Sequence, residues 1–340
     1  MGKIIITGGL GFIGSNLINI LKDKYFIINI DKVSYASNFK NIDPNIKNYK
    51  FYKQDINNKT FIKNILTKYK PSTIYNLAAE THVDRSIEGP KIFIDSNILG
   101  VFNLLESIRN YKKKIKLVHI STDEVYGDIK KNHKSKEEDP YNPSSPYSAS
   151  KASGDLLIKS YIRTYKIPAI ITNCCNNFGP NQYPEKLIPT IIYNILNHKP
   201  IPIYGKGKNV REWIYVKDHC NALIKIAQKG FVGENYNIGS GTVFDNIQIA
   251  KKILSVFKKM NNNQNIKSKI RLVKDRPGHD LRYCLDSSKT KNQLKWKCES
   301  SFDQRINDTI SWYINKFRNN YFKNKDFKYR IGLTKWLEKE

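Results

Sequence analysis

The chain has 340 residues, 40% of them hydrophobic, which is enough to bury a core in one large or two modest domains. Its formal net charge of +28 would ordinarily indicate nucleic-acid binding, but the lysines are spread over the whole chain, so no specific nucleic-acid partner is expected. No apolar run approaches the roughly twenty residues of a membrane-spanning helix, so no membrane contact is expected either.

The N-terminal residues predict a strand, a glycine turn and a helix in direct succession. Residues 3–7 form a short β-branched run that leads into Gly8, Gly11 and Gly14, and apolar residues then recur at helical spacing. Glycines at these places allow a tight turn and close backbone approach to phosphates, while the helix N-terminus offers free N–H groups. We therefore expect a dinucleotide-binding turn. Because the strand begins at residue 3, no signal or transit peptide is expected before it.

An acidic residue follows the second predicted strand. Residues 25–30 form an apolar run that ends in Asp31, seventeen residues after Gly14. This is close to the distance at which dinucleotide-binding folds place a carboxylate on the adenosine ribose. Because an acid there disfavours a 2′-phosphate, the sequence predicts NAD rather than NADP.

Strand and helix patterns continue to alternate up to about residue 173. Further strands are predicted near 49–53, 72–77, 116–121 and 169–173, and helices near 58–69, 91–111 and 147–165. Such alternation predicts an α/β fold with a Rossmann-type, doubly wound parallel sheet, whose ligands bind outside the carboxyl ends of the strands. From about residue 174 the pattern is irregular and interrupted by prolines, which predicts a smaller, interleaved C-terminal substrate-binding domain.

These patterns give a provisional division of the chain. We expect an NAD-binding Rossmann domain over residues 1–173, to which later segments return, and the substrate-binding domain over 174–315. Residues 316–340 are expected to form a C-terminal tail.

Two groups of reactive side chains stand after the fifth strand and in the helix that follows. Tyr147 and Lys151 are four residues apart, so they share a helix face, where the ammonium can favour the tyrosinate and bring a pKa near 10 closer to neutrality. Asp123 and Glu124 follow Thr122, and two neighbouring carboxyls with divided protonation can serve as acid and base. Taken singly, these could be a surface pair and turn caps, but together they favour a catalytic site.

The cysteines give no sign of a metal site. Cys174, Cys175, Cys220, Cys284 and Cys298 show no paired metal-ligand spacing, and the two adjacent ones are poorly placed to bridge each other in a strand. We therefore expect reduced thiols, a cytoplasmic location and no bound metal.

Four segments carry a family resemblance. They are Thr-Gly-Gly-Leu-Gly-Phe-Ile-Gly at 7–14, Leu-Ala-Ala-Glu-Thr-His-Val-Asp-Arg-Ser at 77–86, Ser-Thr-Asp-Glu-Val-Tyr-Gly at 121–127 and Asp-Arg-Pro-Gly-His-Asp at 275–280. Together they resemble the dTDP-glucose 4,6-dehydratases, a family of the extended short-chain dehydrogenase/reductase superfamily. The similarity covers residues 1 to about 315. The departures are mild: Thr81 and Cys175 each stand where serine is common, and Thr81 adds a methyl group near the expected substrate.

The resemblance implies a reaction and a role for each reactive side chain. Members convert dTDP-glucose to dTDP-4-keto-6-deoxyglucose and water, a precursor of deoxysugars such as rhamnose. NAD oxidises carbon 4 while Tyr147, supported by Lys151 and Thr122, takes the hydroxyl proton. Glu124 then removes the proton on carbon 5, Asp123 protonates the departing hydroxyl on carbon 6, and hydride returns to carbon 6.

The resemblance also implies the residues that contact the ligands, and a homodimer formed through two helices of the cofactor domain. The implied cofactor contacts are Gly8, Gly11, Phe12, Ile13, Gly14, Asp31, Lys32, Asp55, Ile56, Ala78, Ser96, Tyr147, Lys151 and Asn177. The implied nucleotide-sugar contacts are Thr81, Arg85, Thr122, Asn176, Lys186, Leu187, Pro202, Ile203, Tyr204, Arg211, Asn246, Arg276 and His279. Arg211 and Arg276 match positions that clamp the pyrophosphate, where a planar guanidinium suits phosphate oxygens. For Leu187 and Pro202, simple packing explains the residue nearly as well.

Two alternatives stay open at this point. A UDP-sugar 4-epimerase or decarboxylase of the same superfamily would share the glycine turn and the Tyr/Lys pair, but epimerases usually carry small or hydroxyl residues in place of Asp123 and Glu124. A non-catalytic homologue that binds RNA would fit the positive charge. The intact Tyr147/Lys151 pair and both carboxyls argue against it.

Overall fold

The computed structural model describes residues 1–111, 113–260, 266–299 and 301–318. Of the predicted tail at 316–340, only the first three residues belong to this set, where they end the last helix. The rest of that tail lies outside the described residues.

In the described part of the chain, seven parallel strands form the main sheet. They are β1 (Gly2–Thr7), β2 (Tyr25–Asp31), β3 (Tyr49–Lys53), β4 (Thr73–Asn76), β5 (Lys116–Thr122), β6 (Ala169–Cys174) and β10 (Asn235–Ile238). Their spatial order is β10-β6-β5-β4-β1-β2-β3. β6 is buried along its whole length, as expected of a parallel strand covered on both faces. The predicted Rossmann-type, doubly wound fold is confirmed.

The predicted helices cover this sheet. They are α1 (Phe12–Leu21), α2 (Lys59–Tyr69), α4 (Lys91–Phe93) with α5 (Gly100–Arg109), and α6 (Pro146–Tyr165). Three further helices, which the sequence pattern did not predict, are α3 (Val83–Glu88), α8 (Val216–Lys229) and α10 (Ser288–Leu294). A π-helical segment, Ile94–Leu99, joins α4 to α5. None of the helices in the described residues is both long enough and apolar enough to cross a bilayer.

Helix α6 begins at a well-defined point. The Ser145 hydroxyl accepts a hydrogen bond from the Ser148 backbone N–H, the Ser148 hydroxyl reaches back to the Ser145 N–H, and Pro146 occupies the first turn. Such a capping box satisfies two N–H groups that the helix leaves unpaired, and proline fits where no N–H is needed. This start fixes the register of the whole helix, and with it the positions of Tyr147 and Lys151.

A second layer follows β6 along the chain. It contains β7 (Asn176–Phe178), β8 (Ile201–Tyr204), β9 (Val210–Tyr215), β11 (Val243–Asp245), β12 (Ile270–Val273), α7 (Leu187–Leu196), α9 (Asn246–Met260) and α11 (Phe302–Arg318). Its strands form two small sheets, β11-β9-β7 and β12-β8. Buried side chains of α7, α9 and α11 give it a hydrophobic core of its own.

The chain crosses back into the main sheet after this layer begins. β10 pairs in parallel with β6, and α8 packs against α1. The two layers are therefore interleaved in sequence. The boundary at residues 173/174 stays a prediction.

Candidate active site

A cavity of about 280 Å³ opens at the carboxyl ends of the main-sheet strands. Residues that end or follow β1, β2, β4, β5 and β6 line it. The strand order reverses direction between β4 and β1, and an open α/β sheet leaves a crevice at such a point. The topology therefore places a ligand site here.

The glycine turn forms one wall of this cavity. Gly8 has φ +69°, and a Cβ there would lie 2.8 Å from the Leu77 carbonyl carbon and the Ala78 nitrogen. A Cβ on Gly14 would overlap the Gly8 carbonyl oxygen. Helix α1 starts directly after Gly11, which contributes no side-chain cap, so the first N–H groups stay available. This backbone fits a pyrophosphate at the helix N-terminus.

Asp31 ends β2 on the wall beside the turn. Its Oδ2 accepts a hydrogen bond from the Leu10 N–H at 3.0 Å, and its Oδ1 accepts from the Val33 N–H and the Ser37 hydroxyl, both at 2.8 Å. A carboxylate offers about four lone-pair sites, so Oδ2 can accept one more donor. This buried acid fits a ribose hydroxyl and repels a 2′-phosphate, which suits NAD.

Every residue predicted from the sequence as a cofactor contact lines this cavity. They are Gly8, Gly11, Phe12, Ile13, Gly14, Asp31, Lys32, Asp55, Ile56, Ala78, Ser96, Tyr147, Lys151 and Asn177. Lys32 makes an ion pair with buried Glu80 at 2.9 Å, which holds its ammonium in place. The sequence-based contact set is thus brought together in one place.

The reactive carboxyls follow β5 in a short 3₁₀ turn, Asp123–Tyr126. Thr122 ends the strand, and its hydroxyl donates to Asp123 Oδ1 at 3.2 Å and accepts from the Glu124 N–H at 3.3 Å. Gly127 ends the turn at φ +71°, where a Cβ would overlap the Asn142 carbonyl. The turn therefore holds both carboxyls at the edge of the sheet, facing the cavity.

The environment of Asp123 favours its protonated form. The side chain is buried, and burial, followed by the charge of Glu124, raises its pKa well above the usual range. Arg211 acts in the opposite direction more weakly. The Oδ2 atom is buried without a hydrogen-bond partner, so a ligand atom can pair with it. Asp123 is therefore suited to donate a proton.

Positively charged side chains act more strongly on the pKa of Glu124 than on that of Asp123. Burial raises the pKa of Glu124, but Arg276, Arg211 and Lys186 oppose this rise in that order. These three cations favour the carboxylate form of Glu124, whereas for Asp123 only the weaker influences of Arg211 and the Thr122 hydrogen bond do so. Adjacent carboxyls with different partners divide into an acid and a base.

Tyr147 and Lys151 share one face of α6, as predicted, but the expected lowering of the phenol pKa is not found. Burial, followed by the charge of Glu124, raises the pKa of Tyr147 well above 10, and a hydrogen bond with Thr122 acts in the opposite direction. Lys151 Nζ donates to the Ile120 carbonyl at 2.7 Å and lies 3.3 Å from His119 Nε2. The sequence spacing identified the neighbouring cation but could not show how deeply the phenol is buried.

A buried polar group behind Lys151 was not found by sequence reasoning. Asp155, one helical turn further along α6, accepts hydrogen bonds from Ser121 at 2.6 Å and Tyr141 at 3.2 Å. Burial raises the pKa of Asp155 to about 6, and the charge of Lys151 opposes the rise. Asp155 is the largest charge-based influence that raises the pKa of Lys151, whose burial lowers it. Only the spacing of four residues from Lys151 could have indicated the pair.

A second cavity of about 130 Å³ continues from the first towards the second layer. Both cavities share Thr81, Glu124, Asn176, Glu185 and Lys186 in their walls. The predicted substrate contacts that line the second one are Thr81, Asn176, Lys186, Leu187, Ile203, Tyr204, Arg211, Asn246, Arg276 and His279. Glu124 therefore stands at the junction of the two, and Thr122 lines only the first.

The two arginines of the second cavity are anchored by oxygen atoms. Arg211 donates to the backbone carbonyls of Val210 and Asp280, both at 2.8 Å. Arg276 lies 3.4 Å from the buried carboxylate of Asp84, and its Nε is buried without a partner. Two guanidinium groups in one enclosed space provide a site for a diphosphate.

Two predicted substrate contacts line neither cavity. Pro202 lies on β8 next to Ile203, and because neighbouring strand residues face opposite sides, the inward position belongs to Ile203. Arg85 is paired with Glu185 at 3.3 Å and stacks on the Tyr35 ring. Glu185 and Asp84 are wall residues that the sequence patterns did not single out.

No metal site accompanies these groups in the described ranges, since they hold no cluster of three or more His, Cys, Asp or Glu side chains placed to bind an ion. The arrangement is a dinucleotide cavity lined by a tyrosine, a lysine and two carboxyls, and it meets a cationic cavity at one of those carboxyls, Glu124. This fold and site define an extended short-chain dehydrogenase/reductase that acts on a nucleotide-linked substrate.

Comparison with known proteins narrows the class. Residues 5–309 match the family model described as GDP-mannose 4,6 dehydratase. The dTDP-glucose 4,6-dehydratase of Escherichia coli is 44% identical over 341 residues, covering 92% of this chain and 94% of that protein. The chain therefore belongs to this 4,6-dehydratase family, and the resemblance to the dTDP-glucose 4,6-dehydratases is confirmed.

Solved structures agree at the level of the fold. The dTDP-glucose 4,6-dehydratase from Bacillus anthracis, solved in complex with NAD, is 40% identical with a TM-score of 0.84, covering 94% of this chain and 98% of that chain. A UDP-N-acetylglucosamine 4-epimerase from Methanobrevibacter ruminantium has a TM-score of 0.83 at 29% identity, covering 93% and 99%. The fold is thus shared with epimerases, so the choice of reaction depends on the site residues.

Proposed function

We propose that the chain is an NAD-dependent dTDP-glucose 4,6-dehydratase that releases dTDP-4-keto-6-deoxyglucose and water. One observation carries the proposal: buried Asp123 and half-buried Glu124 line the same cavity as Tyr147, and Glu124 lies where this cavity meets the second one. An epimerase needs a group that moves the proton of the carbon 4 hydroxyl, but it has no step that requires two further carboxyls.

The cofactor proposal depends on the fit of the first cavity. The glycine turn would hold the pyrophosphate of NAD, Asp31 the adenosine ribose, and Tyr147 and Lys151 the reactive end. When bound, NAD supplies a reversible acceptor for the hydrogen on carbon 4. The dTDP-glucose 4,6-dehydratase of Bacillus anthracis was solved with NAD, which supports the same cofactor here.

Tyr147 and Thr122 would act on the carbon 4 hydroxyl. Tyr147 would take the hydroxyl proton as a phenolate. Burial opposes this form, whereas the Thr122 hydroxyl and the positive charge of bound NAD would favour it, and Thr122 can also hold the substrate oxygen. Lys151 lies one turn further along α6 and adds positive charge. Oxidation of carbon 4 would therefore depend on these three side chains and not on the carboxyls of Asp123 and Glu124.

Glu124 and Asp123 would carry out the elimination that follows. Once carbon 4 is a ketone, the proton on carbon 5 is acidified, and the carboxylate of Glu124 can remove it. Asp123 keeps its own proton because of burial and the charge of Glu124, so it can protonate the departing hydroxyl of carbon 6. The pair therefore divides the acid and base steps.

The second cavity would hold the nucleotide. Arg211 and Arg276 suit the diphosphate, and Lys186, which donates to the Thr81 carbonyl at 2.9 Å, adds a third cation near Glu124. The dTDP-glucose 4,6-dehydratases among the relatives support the thymidine nucleotide.

We further propose a homodimer in the cytoplasm. Leu99 and Phe102, at the start of α5, are 46% and 37% exposed, and Leu156 on the neighbouring α6 is 56% exposed. Exposed apolar side chains on two adjacent helices are suited to pack against a second copy. All five cysteines are free thiols, which suits a reducing compartment.

Substrate choice can be tested directly. The purified protein is given dTDP-glucose, UDP-glucose or GDP-mannose, and the products are identified by mass spectrometry and NMR. We expect loss of one water from dTDP-glucose, with UDP-glucose and GDP-mannose converted far more slowly. A product of unchanged mass with inverted carbon 4 would overturn the proposal in favour of an epimerase.

A further inference from the structure

Three polar side chains from distant parts of the chain meet beside the first cavity. Tyr35 lies in the loop after β2, Arg85 on α3, and Glu185 in the loop that precedes α7. None of them takes part in the proton transfers described above. Their meeting point lies where the Rossmann domain and the second layer face each other.

The contacts among them are close and mutually supporting. The Tyr35 hydroxyl donates to Glu185 Oε1 at 2.9 Å, and Arg85 Nε donates to Glu185 Oε2 at 3.3 Å. The Arg85 guanidinium lies 3.5 Å from the centre of the Tyr35 ring, and Tyr183 meets that ring edge-on at 5.4 Å. The side chain of Glu185 is only 1% exposed, so separating this group would leave a buried charge without its partners.

The group joins the two walls of the dinucleotide cavity. Ser34, Ala36 and Ser37, next to Tyr35, line one wall beside Asp31. Tyr183 and Glu185, from the loop before α7, line another wall. The two walls cannot separate there while Tyr35 and Arg85 stay bonded to Glu185, and their separation would open the cavity around a bound dinucleotide.

We propose that Tyr35, Arg85 and Glu185 form a clamp that retains NAD between turnovers. The clamp rests on the proposed function, because a reaction that returns its hydrogen to the substrate within each turnover needs no cofactor release. These are positioning residues, since they act by holding the walls together. If NAD leaves only from a state in which the two walls have separated, weakening the clamp raises the population of that state. The rate of NAD release then rises by the same factor.

The experiment measures cofactor exchange without substrate. Protein purified with bound NAD is mixed with excess isotopically labelled NAD, and uptake of the label is followed by mass spectrometry. Tyr35→Phe removes one hydrogen bond to a charged group and should speed exchange about tenfold or more. Arg85→Lys keeps the charge but loses the stacked, planar guanidinium, and should speed exchange as well.

A matched control loses a phenol hydroxyl elsewhere. Tyr52 on β3 shares a hydrogen bond with Tyr69 at 2.7 Å and lines neither cavity, so Tyr52→Phe should exchange at the wild-type rate. The clamp is overturned if Tyr35→Phe and Arg85→Lys both exchange within about twofold of wild type, or if Tyr52→Phe speeds exchange equally. A wild-type protein that binds no NAD would overturn the proposed function together with the clamp. Wild-type retention with unchanged exchange in the variants overturns the clamp alone.

Discussion

Asp123→Asn separates oxidation of the sugar from the loss of water. The amide keeps the size of the side chain but cannot donate a proton as an acid. The one hydrogen bond that the Asp123 side chain makes in the described structure comes from Thr122, and an asparagine oxygen can accept it equally well. Because burial already raises the pKa of Asp123 and favours its neutral form, the free energy of unfolding of the variant should lie within about 1 kcal/mol of the wild-type value.

The effect on catalysis should be much larger than the effect on folding. Loss of a general acid costs about 10²- to 10⁴-fold in rate, or about 2.7 to 5.4 kcal/mol of transition-state stabilisation. Oxidation of carbon 4 should survive, because Tyr147, Thr122 and Lys151 are unchanged. Exchange of the carbon 5 proton should also survive, because Glu124 is unchanged.

The assay follows three signals in one sample. With dTDP-glucose, reduced nicotinamide should appear and persist, deuterium from solvent should enter carbon 5, and the 6-deoxy product should form slowly. Tyr147→Phe should show little reduced nicotinamide, because it blocks the earlier step. Asp218→Asn, a change at a buried carboxylate outside both cavities, serves as the control for folding. Near wild-type dehydration by Asp123→Asn, or the absence of reduced nicotinamide in the folded variant, would refute the assignment.

Three further predictions concern other parts of the molecule. Arg276→Ala should raise KM for dTDP-glucose about 10- to 100-fold with a smaller change in kcat, because a charge-assisted hydrogen bond to the diphosphate is lost. Steady-state kinetics measure both constants, and an unchanged KM would place the diphosphate elsewhere. Burial lowers the pKa of His219 to about 3, so between this pH and about 6.5 the unfolded chain binds a proton there and the folded chain does not. The free energy of unfolding should therefore fall by up to about 1.4 kcal/mol per pH unit as the pH drops from about 6.5 towards 3. Urea unfolding at several pH values should show a shallower slope for His219→Gln, and an equal slope would contradict this. Lys151→Met leaves the Asp155 carboxylate buried without its cation, so adding Asp155→Asn to that variant should recover part of the lost free energy of unfolding. The same urea assay measures this, and additive losses would show that Lys151 and Asp155 are not paired.

Local patterns in the sequence were sufficient to predict the frame of the site. Runs of β-branched and aromatic residues located the first six strands of the main sheet, and the glycine turn with Asp31 located the cofactor cavity. Each of these features depends on residues close together in sequence, where strand periodicity and turn sterics act. Parallel pairing in the main sheet then places the carboxyl ends of these strands side by side, and this does not depend on the sequences of the helices between them.

Features that depend on packing between distant segments could not be predicted in this way. Arg85 and Glu185 are one hundred residues apart, and nothing near either one indicates the other. The resemblance implies Arg85 near the sugar, which stays a prediction, and the structure adds its contacts with Glu185 and Tyr35 in two separate loops. Tyr147 shows the same limit, because its pKa is governed by burial and by Glu124, which spacing along α6 does not reveal.

The division of labour in the site is tested most directly by following one hydrogen atom. dTDP-glucose carrying deuterium on carbon 4 is converted by the wild-type protein, and the label is located by NMR. A dehydratase that oxidises carbon 4 through Tyr147 and eliminates across carbons 5 and 6 through Glu124 and Asp123 should deliver the label to the methyl group at carbon 6 of a 4-keto product. Label retained on an inverted carbon 4, with the carbon 6 hydroxyl intact, would contradict it.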